Sequence, residues 1–296
     1  MLGICFITDP LLTTMGAVRP AILLAKEFCR IGYDVTLMTT RCDKKIKETL
    51  QLEKIHLKAV GPRFSYIHSF PTLDAWARRL IRHKIAVETP DSDVIINTSS
   101  CIIARTHAYY AQGPMTRTLS DMFSEMPLYY KGVFHLSRQP LRTLERRFVR
   151  KLRDSSKLFI ANSVFCASMY REWNIRVDHV INPPLDCSLF KPSISKPAAD
   201  YVLTHLGIHG KEGRFSIIKA IADSGVVIRV FGETFSVPKT LTKHRNIVFL
   251  GKVSDRELVD LYSNALFTLF AFSHEPFGYV PVESMACGTP VLTYNK

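Results

Sequence analysis

LGICFITDPLLTTMGAVRPAILLAKEFCRIGYDVTLMTT, residues 2–40, settles the kind of fold to expect. LGICFIT is short and apolar, as a buried strand is, and DPLLTTMG carries turn residues. AVRPAILLAKEFCRIG then spaces Val18, Ile22, Ala25 and Phe28 along one helical face, and Gly32 closes the helix before YDVTLMTT begins a second strand. Strand, helix and strand in this order form a βαβ unit, whose parallel strands need helices over both faces of the sheet.

The unit recurs. DVIINT (93–98), HAYYAQG (107–113) and KLFIAN (157–162) read as further short strands, the last followed by a helix through SVFCASMYREW. From Cys187 to Asp200 the chain reads CSLFKPSISKPAAD, which has no periodicity and resembles a linker. Beyond it YVLTHLG, VVIRVFG, NIVFLG and LFTLFAFS alternate with the helical patterns RFSIIKAIADSG and DRELVDLYSNA. The expectation is α/β, with a Rossmann-like domain over 1–186, a linker over 187–200 and a second Rossmann-like domain over 201–296.

Composition narrows the function. The 296 residues are 47% hydrophobic and 22% charged, a globular balance with room for two cores. No apolar run is long enough to span a bilayer, and the first residues lack a basic secretory leader, so the chain is read as cytoplasmic. Seven cysteines without a C-x-x-C pair, and ten histidines without metal spacing, argue for small core residues and no metal site. The net charge of +13 is uneven: 27 Lys+Arg against 17 Asp+Glu up to residue 186 give +10, and 12 against 9 in the remainder give +3. Charge of this kind suits nucleic acid, anionic lipid or a phosphorylated substrate.

The chemistry concentrates in SHEPFGYVPVESMACGTPVLTYNK, residues 273–296. A strand ending at Ser273 delivers the chain to the carboxyl edge of the second sheet, where open α/β folds bind ligands. Phe277-Gly278 makes a turn, and Pro281 suits the first position of a helix. Amides around Gly278 to Val280 would then face an anion such as phosphate. Glu283 can accept hydrogen bonds from two adjacent hydroxyls, and Glu275 reaches the other side of the turn. A plain turn with Glu283 as a first-turn helix charge and Glu275 exposed fits the spacing equally well.

EPFGYVPVESMACGTPV resembles the signature of retaining, nucleotide-sugar-dependent glycosyltransferases of the two-Rossmann-domain (GT-B) type, family 4-like, a group that includes sucrose synthases and many lipid-glycan mannosyltransferases. NIVFLGKVSDRELVDLYSNA, IANSVFCASMYREW, VINPPLD and MGAVRPAILLAKEFCRIGYDVTLMTT are similar to other parts of the same family. The resemblance implies two facing Rossmann-like domains and a hexosyltransferase that needs no metal and no cofactor beyond its donor. It implies that Glu283 binds the donor ribose, that Phe277, Gly278 and Tyr279 approach the pyrophosphate or sugar, and that Glu275 acts at the anomeric carbon. Gly16 would let backbone approach the donor phosphates, and His107 would stand near donor and acceptor; a histidine merely satisfied beside a sheet is an even alternative.

Two departures qualify the resemblance. Ile208 in HLGIHGKEGRFSII stands where an arginine is expected, so Lys211 or Arg214 would have to neutralise the leaving diphosphate. The related enzymes also continue well past GTPV. The second domain is therefore expected to lack its C-terminal end, through truncation or because a partner chain completes it. The implied reaction moves a hexose, mannose or glucose, from a UDP- or GDP-sugar to a hydroxyl of a glycan or polyprenol-linked acceptor. A sugar-nucleotide epimerase or hydrolase, or a catalytically silent subunit, are the alternatives. RQPLRTLERRFVRKLRDSSKLF reads as a helix with Leu141, Leu144, Phe148 and Leu152 inward and a basic back, which is either simply solvated or meets an anionic membrane surface. Nucleic acid is not expected, since no binding motif accompanies the charge.

Overall fold

The computed structural model describes residues 2–14, 16–60, 85–121, 123, 128–193, 200–206, 215–232, 237–272 and 275–293. The chain divides into two units, Met1–Arg117 with His135–Pro184, and Thr118–Phe134 with Leu185–Lys296.

In chain order the first elements are β1 (Gly3–Ile7), a 3-10 turn (Gly16–Val18), α1 (Arg19–Arg30), β2 (Asp34–Thr39), α2 (Lys44–Leu52), β3 (His56–Ala59), β4 (Ile85–Ala86), β5 (Val94–Asn97), β6 (Ile102–Ile103) and β7 (Thr106–Ala111). Helices α3 (Met115–Asp121) and α4 (Leu128–Asp154), strand β8 (Ser156–Ala161), helix α5 (Val164–Arg171) and strand β9 (His179–Val180) follow. Seven strands form one sheet in the order β3-β2-β1-β5-β7-β8-β9, every pairing parallel. Its central strand β1 is buried on both faces, and Val18, Ile22, Ala25 and Phe28 of the opening helix pack against it as their spacing requires. Helix α4 covers the other side: Phe148, Val149 and Leu152 lie in one cluster with Tyr109 and Phe159 of β7 and β8. It is longer than the basic stretch alone suggested, runs through Pro140, and ends before Lys157, which belongs to β8.

The second sheet is built from β10 (Tyr201–Leu206), β11 (Val227–Gly232), β12 (Ile247–Gly251), β13 (Thr268–Phe270) and β14 (Val291–Thr293), again all parallel, in the order β12-β11-β10-β13-β14. Helices α6 (Phe215–Asp223), α7 (Lys239–Thr242), α8 (Asp255–Ser263) and α9 (Tyr279–Ala286) lie between these strands in sequence. Ser254 and Glu257 form a capping box that starts α8. Phe190, inside the stretch expected to be linker, is 1% exposed and packs with Tyr201, Leu203 and Tyr262 in the core of this unit.

Both strand orders reverse once. In the first sheet the chain steps outward from β1 one way to β2 and the other way to β5; in the second it steps from β10 to β11 and to β13. Loops that leave adjacent strands in opposite directions open a crevice at the carboxyl ends, which is where such sheets bind ligands. The segments after β1 and β5, and after β10 and β13, are therefore the places to look for chemistry.

Candidate active site

The segment after β13 holds Glu275, Phe277, Gly278, Tyr279 and Glu283, five of the residues picked from the sequence, within one turn and one helix. Gly278 is the residue before α9, with φ +81° and ψ +88°. That left-handed backbone favours glycine, and a Cβ there would also lie 3.3 Å from Glu275 Cγ and 3.4 Å from Pro281 Cδ. The chain thus folds Glu275 back over the turn, and Phe277 and Tyr279 meet edge to face with ring centroids 5.3 Å apart. No side chain caps the start of α9. The helix begins two residues earlier than the proline suggested, at Tyr279, so Pro281 is its third residue. A proline fits there as well, because the first four N–H groups of a helix have no partner within it.

Glu283 is 1% exposed, and its Oε2 accepts a hydrogen bond of 3.0 Å from the hydroxyl of Tyr262, itself 0% exposed. A buried carboxylate needs such donors, since stripping it of water is costly. Tyr262 comes from α8, and its backbone carbonyl accepts from Thr289 Oγ1, so the residue is tied at both ends. Ser284 Oγ donates to Thr268 Oγ1 at the start of β13, fixing α9 to the sheet. Burial, and then the negative charge of Glu283, push the Cys287 thiol up to about 11, against a smaller opposing effect of its hydrogen bond with Ser263. Tyr262 went unremarked in the sequence. It follows Leu258 by four positions, on the buried face of α8, and a tyrosine on a core-facing helix position needs a partner for its hydroxyl.

At the carboxyl ends of the first sheet, Gly16 opens the 3-10 turn before α1 with φ +67°. Gln112, just past β7, donates from Nε2 to the carbonyl of Ala17 at 2.7 Å and so holds that turn in place. Asp9, after β1, accepts from Ser99 Oγ at 2.8 Å, Ser100 N at 2.9 Å and Ser100 Oγ at 2.9 Å, joining the loops of the two strands that flank the crossover. Among the described residues, Thr8 Oγ1 and Asn162 Oδ1 are buried polar atoms at this rim without a hydrogen-bond partner.

His107 is elsewhere. It is the second residue of β7, so about 13 Å of strand, four residues at roughly 3.3 Å each, separates it from the carboxyl end at Ala111. Its Nδ1 accepts the amide N–H of Ile95 at 3.0 Å, which gives it a structural task at the amino end of the sheet. Gln112 is the residue that follows the carboxyl end of this strand. Lys211, Arg214 and Ile208 lie outside the described residues. No group of three or more His, Cys, Asp or Glu side chains able to hold a metal occurs among the described residues. No described helix is long and apolar enough to cross a membrane.

Comparison with known proteins agrees with this architecture. The profile of Glycosyltransferase Family 4 matches residues 15–189, more than half of the chain, and that of Glycosyl transferases group 1 matches residues 205–296. A probable transglycosylase of Burkholderia thailandensis is 41% identical over 86 residues, 28% of this chain and 22% of that protein, so the match spans well under two thirds of the relative. HepE of Anabaena, solved in complex with UDP and glucose, superposes with a TM-score of 0.65 at 18% identity over 99% of this chain and 80% of that one. Sucrose-phosphate synthase of Thermosynechococcus elongatus gives 0.64 at 14% identity, covering 99% and 81%. WaaG, a glycosyltransferase involved in lipopolysaccharide biosynthesis, gives 0.63 at 17%, covering 98% and 80%. At these identities the likeness is one of fold, the GT-B arrangement of two parallel-sheet domains. With a family profile over more than half its length, the chain belongs to glycosyltransferase family 4.

Proposed function

We propose that this chain transfers a hexose from a nucleotide diphosphate sugar to a hydroxyl of a glycan or polyprenol-linked acceptor, with retention of anomeric configuration and without a metal. One observation carries the reading: the turn after β13 pairs a helix start built on left-handed Gly278 with Glu275 on one side and the Tyr262-held Glu283 on the other. Oriented amides at a helix start suit the negative charge of a diphosphate. Glu283 accepts hydrogen bonds from the ribose hydroxyls, and Tyr262 keeps its carboxylate in one orientation while the nucleotide arrives. Glu275 stabilises positive charge at the anomeric carbon as the bond to the diphosphate breaks. The acceptor hydroxyl attacks on the face the diphosphate leaves, which preserves configuration. The diphosphate takes the bonding electron pair and the acceptor hydroxyl passes its proton to the departing phosphate oxygen, with Lys211 or Arg214 neutralising the leaving charge.

The donor class draws support from HepE, whose solved complexes contain UDP, UDP-glucose, or UDP and glucose. Calorimetric titration with UDP and GDP tests the site directly. One of the two binds, and Glu283→Ala abolishes that binding; equal affinity in the variant would remove Glu283 from the donor site and the reading with it. Product analysis with a labelled UDP-hexose then separates transfer, which needs an acceptor, from hydrolysis or epimerisation, which do not.

A further inference from the structure

The turn after β13 stands on a layer of rings, and one member of that layer has no part in the site above. His205 is the fifth of the six residues of β10, at the carboxyl end of the strand. Side chains alternate along a strand, so His205 shares its face with Tyr201 and Leu203, which pack with Leu258 and Tyr262 of α8 and with Val280 and Ala286 of α9; Val202 and Leu206 turn to the other core. Its imidazole meets two rings. The centroid of Phe231, near the end of β11, is 4.9 Å away, and that of Phe272, just past β13, is 5.9 Å away.

From these two rings the contacts run on to both halves of the candidate site. Phe231 meets Tyr262 at 6.1 Å, and Tyr262 holds Glu283. Phe272 meets Phe270 at 4.4 Å, and a Cβ at Gly278 would lie 3.5 Å from the ring of Phe270. Phe231 and Phe272 are buried, whereas His205 keeps part of its surface open. Among the described residues at the carboxyl ends of β10, β11 and β13, His205 is the one able to carry positive charge. Aromatic faces within about 6 Å attract a cation, so Phe231 and Phe272 suit the protonated ring. The other titratable groups around this layer are Arg229 on β11, Tyr262 on α8, Glu283 and Cys287 on α9, and Glu275 before the turn. The two carboxylates favour an imidazolium, and Arg229, seated 4.0 Å over the ring of Tyr201, opposes it.

We infer that His205 is a further donor-binding residue, whose protonated imidazole donates a hydrogen bond to an oxygen of the nucleotide diphosphate. A diphosphate brought to the start of α9 arrives beside Glu275 and Glu283, and a cation on the same face of the sheet offsets that crowding of negative charge. The inference rests on the donor reading of the Gly278 turn and adds a residue to its phosphate side.

The test is calorimetric titration of the full chain with UDP-glucose and GDP-mannose, whose diphosphates do not titrate near neutrality. Titrations at about pH 6 and about pH 8 bracket the ordinary imidazole range. The nucleotide sugar that binds is expected to bind about tenfold more tightly at the lower pH, as a contact made by the charged ring requires. H205F keeps the ring packing without the donor and should weaken binding at the lower pH by about tenfold to a hundredfold, the range of a hydrogen bond to a charged group. H205Q keeps a neutral N–H donor; it should fall between parent and H205F and lose the dependence on pH. Thermal midpoints check the fold of both variants, and H205Q with the parent's own pH dependence decides the matter even where H205F does not fold. Parent affinity that ignores pH, or folded variants that bind as the parent does, would overturn the assignment and leave the donor reading standing. A parent that binds neither nucleotide sugar would overturn both.

Discussion

Replacing Tyr262 by phenylalanine removes one oxygen from the candidate donor site and leaves its shape. The ring keeps its edge-to-face contact with Phe231, at a centroid separation of 6.1 Å, while the 3.0 Å hydrogen bond to Glu283 disappears. A hydrogen bond to a charged acceptor contributes about 1.5–3 kcal/mol, and a buried partner left behind puts the loss toward the upper end, about 2–3 kcal/mol. For units of this size that is a fall in thermal midpoint of roughly 2–4 °C per kcal/mol, or about 4–12 °C. The measurement is a double-mutant cycle of Tyr262→Phe and Glu283→Ala by urea denaturation, with UDP titration of each folded variant. Coupling of about 2 kcal/mol is expected, with UDP affinity about tenfold weaker in Tyr262→Phe than in the parent, because the carboxylate has lost its orienting donor. Coupling below about 0.5 kcal/mol, the level at which unrelated sites add, would refute the claim that Tyr262 holds Glu283.

Other perturbations follow from the geometry. A Cβ at Gly232, where φ is +107°, would lie 2.0 Å from the Leu206 carbonyl oxygen, so Gly232→Ala should destabilise by about 4 kcal/mol, read from the denaturation midpoint. His107→Ala should cost about 1 kcal/mol of stability through the unpaired Ile95 amide and leave kcat intact, whereas Gln112→Ala should raise KM for the donor by loosening the Gly16 turn; steady-state kinetics of both variants decides it. Burial pushes Cys5 and Cys166 up to about 12 and Cys287 up to about 11, from an ordinary 9.0. Unfolding above pH 9 therefore releases protons, so stability present below pH 9 falls as pH rises toward 11, by up to about 1.4 kcal/mol per unit for each thiol. Cys287→Ala should flatten part of that slope in urea titrations at successive pH values.

Local patterning made the fold readable. Short apolar strands set between helical repeats identify parallel sheets, and the Glu275 to Glu283 motif could be placed after a strand because LFTLFAFS runs straight into it. What stayed hidden depends on partners distant in sequence. Tyr262 meets Glu283 across 21 positions, and Asp9 meets Ser100 across 91. Nothing in either neighbourhood marks the other. HAYYAQG shows where a strand lies but not which residue ends it: His107 is the second residue of β7, and the strand runs on to Ala111. Pro281 suggested a helix start two residues late, since prolines are tolerated throughout the first turn. Phe190 looked like linker because the prolines and serines around it outweigh one aromatic, yet that aromatic is what the second core takes up.

The carboxylate of Glu145 stands on the amides of Met115 at 2.6 Å and Thr116 at 2.9 Å, at the point where the chain leaves β7 and turns into α3. Glu145 belongs to α4, whose Phe148, Val149 and Leu152 are anchored in the sheet core. The loop after β7 therefore cannot open by itself; freeing those two amides means pulling the carboxylate away, and with it a helix seated on the sheet. In native-state hydrogen exchange, Met115 and Thr116 should exchange with the free energy of undocking α4 and not with the low free energy of a fraying loop end, so this rim and the helix behave as one cooperative unit.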